Sequence, residues 1–170
     1  PFWGRAGLRA TRADGWGGPR ATDVLVRSLG LGAPKSPYQV TGAGAVGSST
    51  IRGMPVLRVL RALGAAIWPF DAPSTVTVIE CYPRIATGRD VVKRDPAART
   101  AWLRRHRDLT AAHRRAAQDS DDAFDALAAA RWLWRHRDAI ARSPRAVDDA
   151  QRIEGAIWVP PSLLPTPGAA

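Results

Sequence analysis

Three carboxylates have the types and spacing for chemistry: Glu80, Asp122 and Asp125. Glu80 stands near the end of residues 75–83 (TVTVIECYP), the run with the strongest β-strand character. Asp122 and Asp125 are three residues apart in a helical stretch, which puts them on one helix face. A carboxylate at the end of an apolar strand is costly to bury unless something compensates it. Two compensations are open: an arginine partner, in a chain with 25 Lys and Arg, or a metal or reacting group. Hard divalent ions such as Mg²⁺ or Mn²⁺ want oxygen ligands. Two of them, bridged by carboxylates, can activate a water and stabilise the leaving oxygen in phosphodiester cleavage. For Asp122, as for Asp121, helix capping and the N-terminal dipole are a sufficient alternative. Asp125 lies past the first turn, where that account is weaker.

The elements that must position these groups follow from periodicity. Alternation places Val76, Val78, Glu80 and Tyr82 on one strand face, and Thr75, Thr77, Ile79 and Cys81 on the other. Such a continuous apolar run predicts a central strand buried on both sides. Pro96 opens a predicted helix over 97–117, with Trp102, Leu103, His106, Leu109, His113 and Ala116 inward and Arg104, Arg107 and Arg115 in solvent. His106 and His113 read as core-edge or surface residues rather than ligands. Asp119 and Ser120 cap a second helix over 121–142, whose packed face would carry Asp122, Asp125, Ala126, Ala129 and Leu133. Shorter elements are a helix over 20–29, a helix over 57–63, a strand at 66–68 and a last short strand within 153–160.

Two further constellations compete for the functional reading. Gly42, Gly44 and Gly47 match GxGxxG, and Asp71 stands near the distance of a ribose-binding acid, the pattern of a nucleotide-binding loop. Against it, Gly53 and Pro55 fall inside the required crossover helix, and residues 48–52 read as loop. The plainer alternative is a flexible glycine loop leading to a helix with Pro55 in its first turn. Trp132 and Trp134 alternate with Arg131, Arg135 and Arg137, a mixture that can stack on and grip nucleic acid. The plainer alternative there is Trp132 packed inward with the arginines solvated.

Composition bounds these readings. At 170 residues the chain suits one domain, expected over 1–160, with 161–170 a disordered Pro-rich tail. The net charge of +10 favours a nucleic-acid partner. An Arg-rich, Lys-poor bias of GC-rich coding accounts for part of that charge. No apolar run approaches a membrane span, and no small-molecule cofactor is expected. Cys81 is the single cysteine, which rules out an internal disulfide and fits a reducing, cytoplasmic compartment.

Taken together, VIECYPR (78–84), SDDAFDALAAA (120–130) and EGAIWVP (154–160), in this order, resemble the domain-of-unknown-function 429 family, regarded as RNase H-like nucleases. PFWGR (1–5), GAGAVGSSTIRGMP (42–55) and IWPFD (67–71) are similar to a subgroup of it, and 122–128 resembles the acidic C-terminal helix of RuvC-type resolvases. The resemblance implies an α/β fold, an RNase H-like mixed sheet flanked by helices. It also implies Glu80 as strand acid, Asp122 and Asp125 as helix acids, and Mg²⁺ or Mn²⁺ between them. That pattern takes one more Asp from a first strand in a Gly-x-Asp context. None precedes Pro1, so the expected domain is N-terminally truncated.

Overall fold

The computed structural model describes residues 18–42, 44–146 and 148–164. Their elements run α1 (Ala21–Ser28), α2 (Gly47–Ala62), β1 (Ala66–Ile67), β2 (Thr77–Val78), α3 (Pro83–Thr87), α4 (Pro96–Arg105), α5 (Ala111–Asp119), α6 (Asp121–Arg135), α7 (Arg137–Ala141) and α8 (Asp149–Glu154), then a 3₁₀ turn (Pro161–Leu163). The chain is a mixed α/β protein, mostly helical, with a small parallel sheet. It divides into two compact units, Pro1–Glu80 with Ala141–Val159, and Cys81–Ile140 with Pro160–Ala170.

In the first unit, β1 and β2 pair in parallel, Ala66 opposite Thr77 and Ile67 opposite Val78. Glu80 bridges Ile157, also in parallel, with the Trp158 amide donating to the Glu80 carbonyl at 2.9 Å. Residues 77 and 78 thus pair with β1 in a two-stranded sheet, and Glu80 adds one isolated bridge to Ile157, which is less than the expected central strand of a larger sheet. The predicted nine-residue strand is reduced to two residues and one bridge, and it is not buried on both faces: Val76 is exposed and Thr77 and Val78 are half-buried. The reason lies at its ends. Ser74 and Thr77 hydrogen-bond each other in a turn before it, and Pro83 opens α3 after it, with Tyr82 as the N-cap residue. The buried apolar side chains of this unit include instead Val26 of α1, Ala65, Ala66 and Ile67 at β1, and Ala156–Val159. Trp158 is fully buried, and its indole N–H donates to Ser143 Oγ at 2.8 Å.

The α2 helix departs most from its predicted span. It starts at Gly47, ten residues before the predicted start, includes residues 48–52 and continues through Pro55. Proline cannot donate the helical bond to the carbonyl four residues back. Ile51 and Pro55 both lie on exposed turns, where water can take that bond. The early start comes from Gly47, whose amide donates to the Gln39 carbonyl at 2.7 Å. A Cβ there would meet that oxygen at 2.6 Å and the Pro37 carbonyl at 2.7 Å.

The second unit is a helical cluster around Val91, Trp102, Leu103, Leu109, Ala117, Phe124 and Ala128. Trp102 meets Phe124 edge-on, with ring centroids 5.1 Å apart. The single helix predicted over 97–117 is two helices broken at 106–110. Thr110 caps α5 by accepting from the His113 amide, and Leu109 turns into the core. His106 stays on Trp102, stacked at 3.9 Å, with Nδ1 2.9 Å from the Trp102 carbonyl oxygen. The break rotates the following face, so Ala117 is buried while His113 and Ala116 are exposed. The helix predicted over 121–142 is likewise two, α6 and α7, meeting at His136. The expected tail falls partly in the 3₁₀ turn, and its residues 165–170 lie outside the described residues.

Candidate functional site

Glu80 leads to a densely bonded polar group around Arg20. Arg20 is the N-cap residue of α1 and 4% exposed, and Asp23 in the first turn is fully buried. Asp23 accepts from the Arg20 backbone amide at 2.9 Å and from its guanidinium at 2.9 and 3.2 Å. The other edge of the guanidinium clasps Glu80 through both carboxylate oxygens, at 2.6 and 2.7 Å. A fifth bond, at 3.4 Å, reaches the carbonyl of Glu154. An arginine side chain has five N–H donors, and each of the five is matched here. Burial opposes the charge on Arg20, but its bonds to Glu80 and Asp23 outweigh burial and raise its pKa above the ordinary arginine value. The carboxylate of Glu154 accepts from the Ala21 amide at 3.0 Å, and Thr22 Oγ1 accepts from Ile157 N–H at 2.9 Å. The group therefore ties α1 to the strand end and to the chain segment after α8.

Of the two compensations open for Glu80, this geometry supplies the arginine partner. Asp122 and Asp125 belong to α6, in the other compact unit. They are not on its packed face as expected. Phe124 and Ala128 form that face, while Asp122 and Ala126 are exposed and Asp125 is half-buried. Ser120 caps the helix, accepting from Ala123 N–H at 3.0 Å, and Asp121 and Asp122 add favourable charge to its first turn. Asp125 forms an ion pair with Lys93.

The donor chemistry of these carboxylates suits a hard divalent ion. In this structure both oxygens of Glu80 accept from Arg20, and Asp125 is paired with Lys93. Among the described residues, no three His, Cys, Asp or Glu side chains are grouped to hold a metal ion. As arranged in this chain, Glu80 and Asp125 are matched by cations of the protein itself.

The glycine loop has a conformational explanation. Gly42 and Gly44 adopt positive φ of 92° and 73°, and Gly47 permits the backbone approach described above. The stretch before Gly42 holds one bridging residue, Gln39, rather than the strand that a dinucleotide fold needs. Asp71 caps locally, accepting from Ile67 N–H at 3.0 Å and pairing with Arg61, whose bond is the main cause of its lowered pKa.

The aromatic and basic run divides. Trp132 is half-buried, whereas Trp134 is 69% exposed. The Arg137 guanidinium lies 4.7 Å from the centre of a Trp134 ring and donates to the Trp134 carbonyl at 3.0 Å. Arg135 beside them is exposed, as are Arg104, Arg105, Arg107 and Arg115 on α4, its following loop and α5.

No family model matches the chain, and no curated protein or solved structure matches it. Among the described residues, no helix is long and apolar enough to cross a membrane.

Proposed function

We propose that the protein acts on nucleic acid as an RNase H-like protein of the domain-of-unknown-function 429 type, and that its role is binding rather than cleavage. The observation that carries the second half is the pairing of the candidate carboxylates: Glu80 with Arg20 and Asp125 with Lys93. In a nuclease centre the charge of those carboxylates balances the ions; here it balances Arg20 and Lys93 of the protein itself. The first half rests on the three-motif resemblance. It is supported by the exposed Trp134–Arg137 stack, with Arg135 and the arginines of α4 and α5 in the same unit. An exposed indole with a guanidinium beside it offers a base a stacking surface and a phosphate a counter-charge.

The test is a salt titration of binding to a labelled single-stranded oligonucleotide. Binding should weaken linearly in log Kd against log salt. Trp134→Ala should weaken it by about 1–3 kcal/mol without changing that slope. Arg137→Ala should lower the slope by about one. Absence of binding at low salt would remove the reading.

A further inference from the structure

The first compact unit contains a cavity of about 400 Å³, within the size range of small-molecule sites. Its walls are mostly apolar: Met54 and Leu57 from α2, Ile67 from β1, and Trp68 and Phe70 after it. One end is polar, formed by Arg20, Glu80, Glu154 and Tyr38. Neither the nucleic-acid reading nor the glycine loop uses this space.

The charge at the polar end decides what fits. Arg20 is the one cation among the described lining residues, and its five N–H groups are already matched. An anionic ligand would find no donor on it. Glu80 and Glu154 both line the cavity, and Asp23 stands behind Arg20 with its charge directed at the same guanidinium. Two carboxylates, Glu80 and Asp23, share the guanidinium, and the Glu154 carboxylate accepts from the Ala21 amide instead, so three acids stand around one cation inside a chain of net charge +10. The Glu80 side chain keeps 45% of its surface exposed, so its oxygens can accept further bonds at the cavity. Trp68, Phe70 and Tyr38 add aromatic rings, whose faces attract cations.

We infer that this cavity binds an organic cation, a protonated amine on an apolar or aromatic body, with the ammonium at Glu80 and Glu154 and the body against Met54, Leu57, Trp68 and Phe70. The site has no counterpart in the nucleic-acid reading and stands or falls separately from it. Polyanion and amine would bind different units by opposite charge.

The probe is 2-phenylethylammonium, titrated into the full chain by calorimetry and followed by amide NMR shifts. Two comparators keep the body and change the charge: 2-phenylethanol and 3-phenylpropanoate. The ammonium should bind saturably with a Kd of roughly 0.1–1 mM, as its size allows. The alcohol should bind at least tenfold more weakly and the carboxylate not at all, with shifts confined to 20, 38, 54, 57, 67, 68, 70, 80 and 153–156. Glu80→Gln should weaken the ammonium several-fold. Met54→Lys changes a residue that is 53% exposed, so the fold should tolerate it; its ammonium at the cavity wall should abolish binding. Equal binding of ammonium and alcohol, unchanged binding in Met54→Lys, or shifts elsewhere would overturn the inference. So would displacement of the amine by millimolar Mg²⁺ with the same shifts at Glu80, which would assign the carboxylates to a metal.

Discussion

Replacing Arg20 by Met is the sharpest perturbation of this structure. Methionine keeps much of the side-chain length and removes the charge. Asp23, fully buried, would then lose both guanidinium bonds, at 2.9 and 3.2 Å, and keep the Arg20 backbone amide. Breaking a buried pair by removing one partner costs about 3–5 kcal/mol, because the remaining charge is left uncompensated. Glu80 contributes less to that loss, since its side chain is 45% exposed and water can replace the arginine. For a chain of this size the melting temperature should fall by roughly 6–20 °C. The assay is urea unfolding followed by circular dichroism. The double variant Arg20→Met/Asp23→Leu should recover most of the loss, since an apolar replacement of a buried pair is often neutral or better. A loss below about 1 kcal/mol in Arg20→Met would refute the reasoning, and so would a double variant no more stable than the single one.

Gly47→Ala should destabilise by about 1–3 kcal/mol in thermal unfolding, since its Cβ would press on backbone oxygens that cannot swing aside. Phe124→Ala should cost about 3–5 kcal/mol by emptying the centre of the helical cluster. Ser120→Ala should cost about 1 kcal/mol through the lost cap of α6. Burial holds the His106 pKa below its ordinary value, so the unfolded chain takes the proton more readily. Stability from this group is complete above about pH 6.5 and is lost as pH falls from there through the lower folded-state value. His136, also lowered by burial, acts in the same direction, and a urea series from about pH 7.5 to 5 should show a slope that shrinks in His106→Asn.

What the sequence made legible was local. Pro96 and Ser120 each announced a helix start that the structure contains, and Gly30 follows the end of α1 closely. The strand expected at 66–68 is present as β1, Ala66–Ile67. Periodicity failed where one turn reset the phase. Over 97–117 the apolar spacing continues through residues 106–110, and the capping hydroxyl of Thr110 was the missed sign of a second helix. The residue that matters most for Glu80 was the least visible. Arg20 is sixty residues away in sequence, and nothing in its neighbourhood marks it as buried. Its one local sign is Asp23, three residues on, the spacing of an N-cap pair. Alanines line both sides of α6, so spacing alone puts Asp125 on the packed face, whereas Phe124 and Ala128 set the buried phase.

The pairing of the candidate carboxylates is tested most directly by a cleavage assay. Single-stranded, branched and RNA–DNA hybrid substrates are incubated with the protein in about 10 mM Mg²⁺ or Mn²⁺, a saturating excess for a weakly held divalent ion. The account predicts bound but intact nucleic acid in every case. Metal-dependent cleavage that disappears in Glu80→Gln and Asp125→Asn would contradict it and return those carboxylates to a nuclease centre.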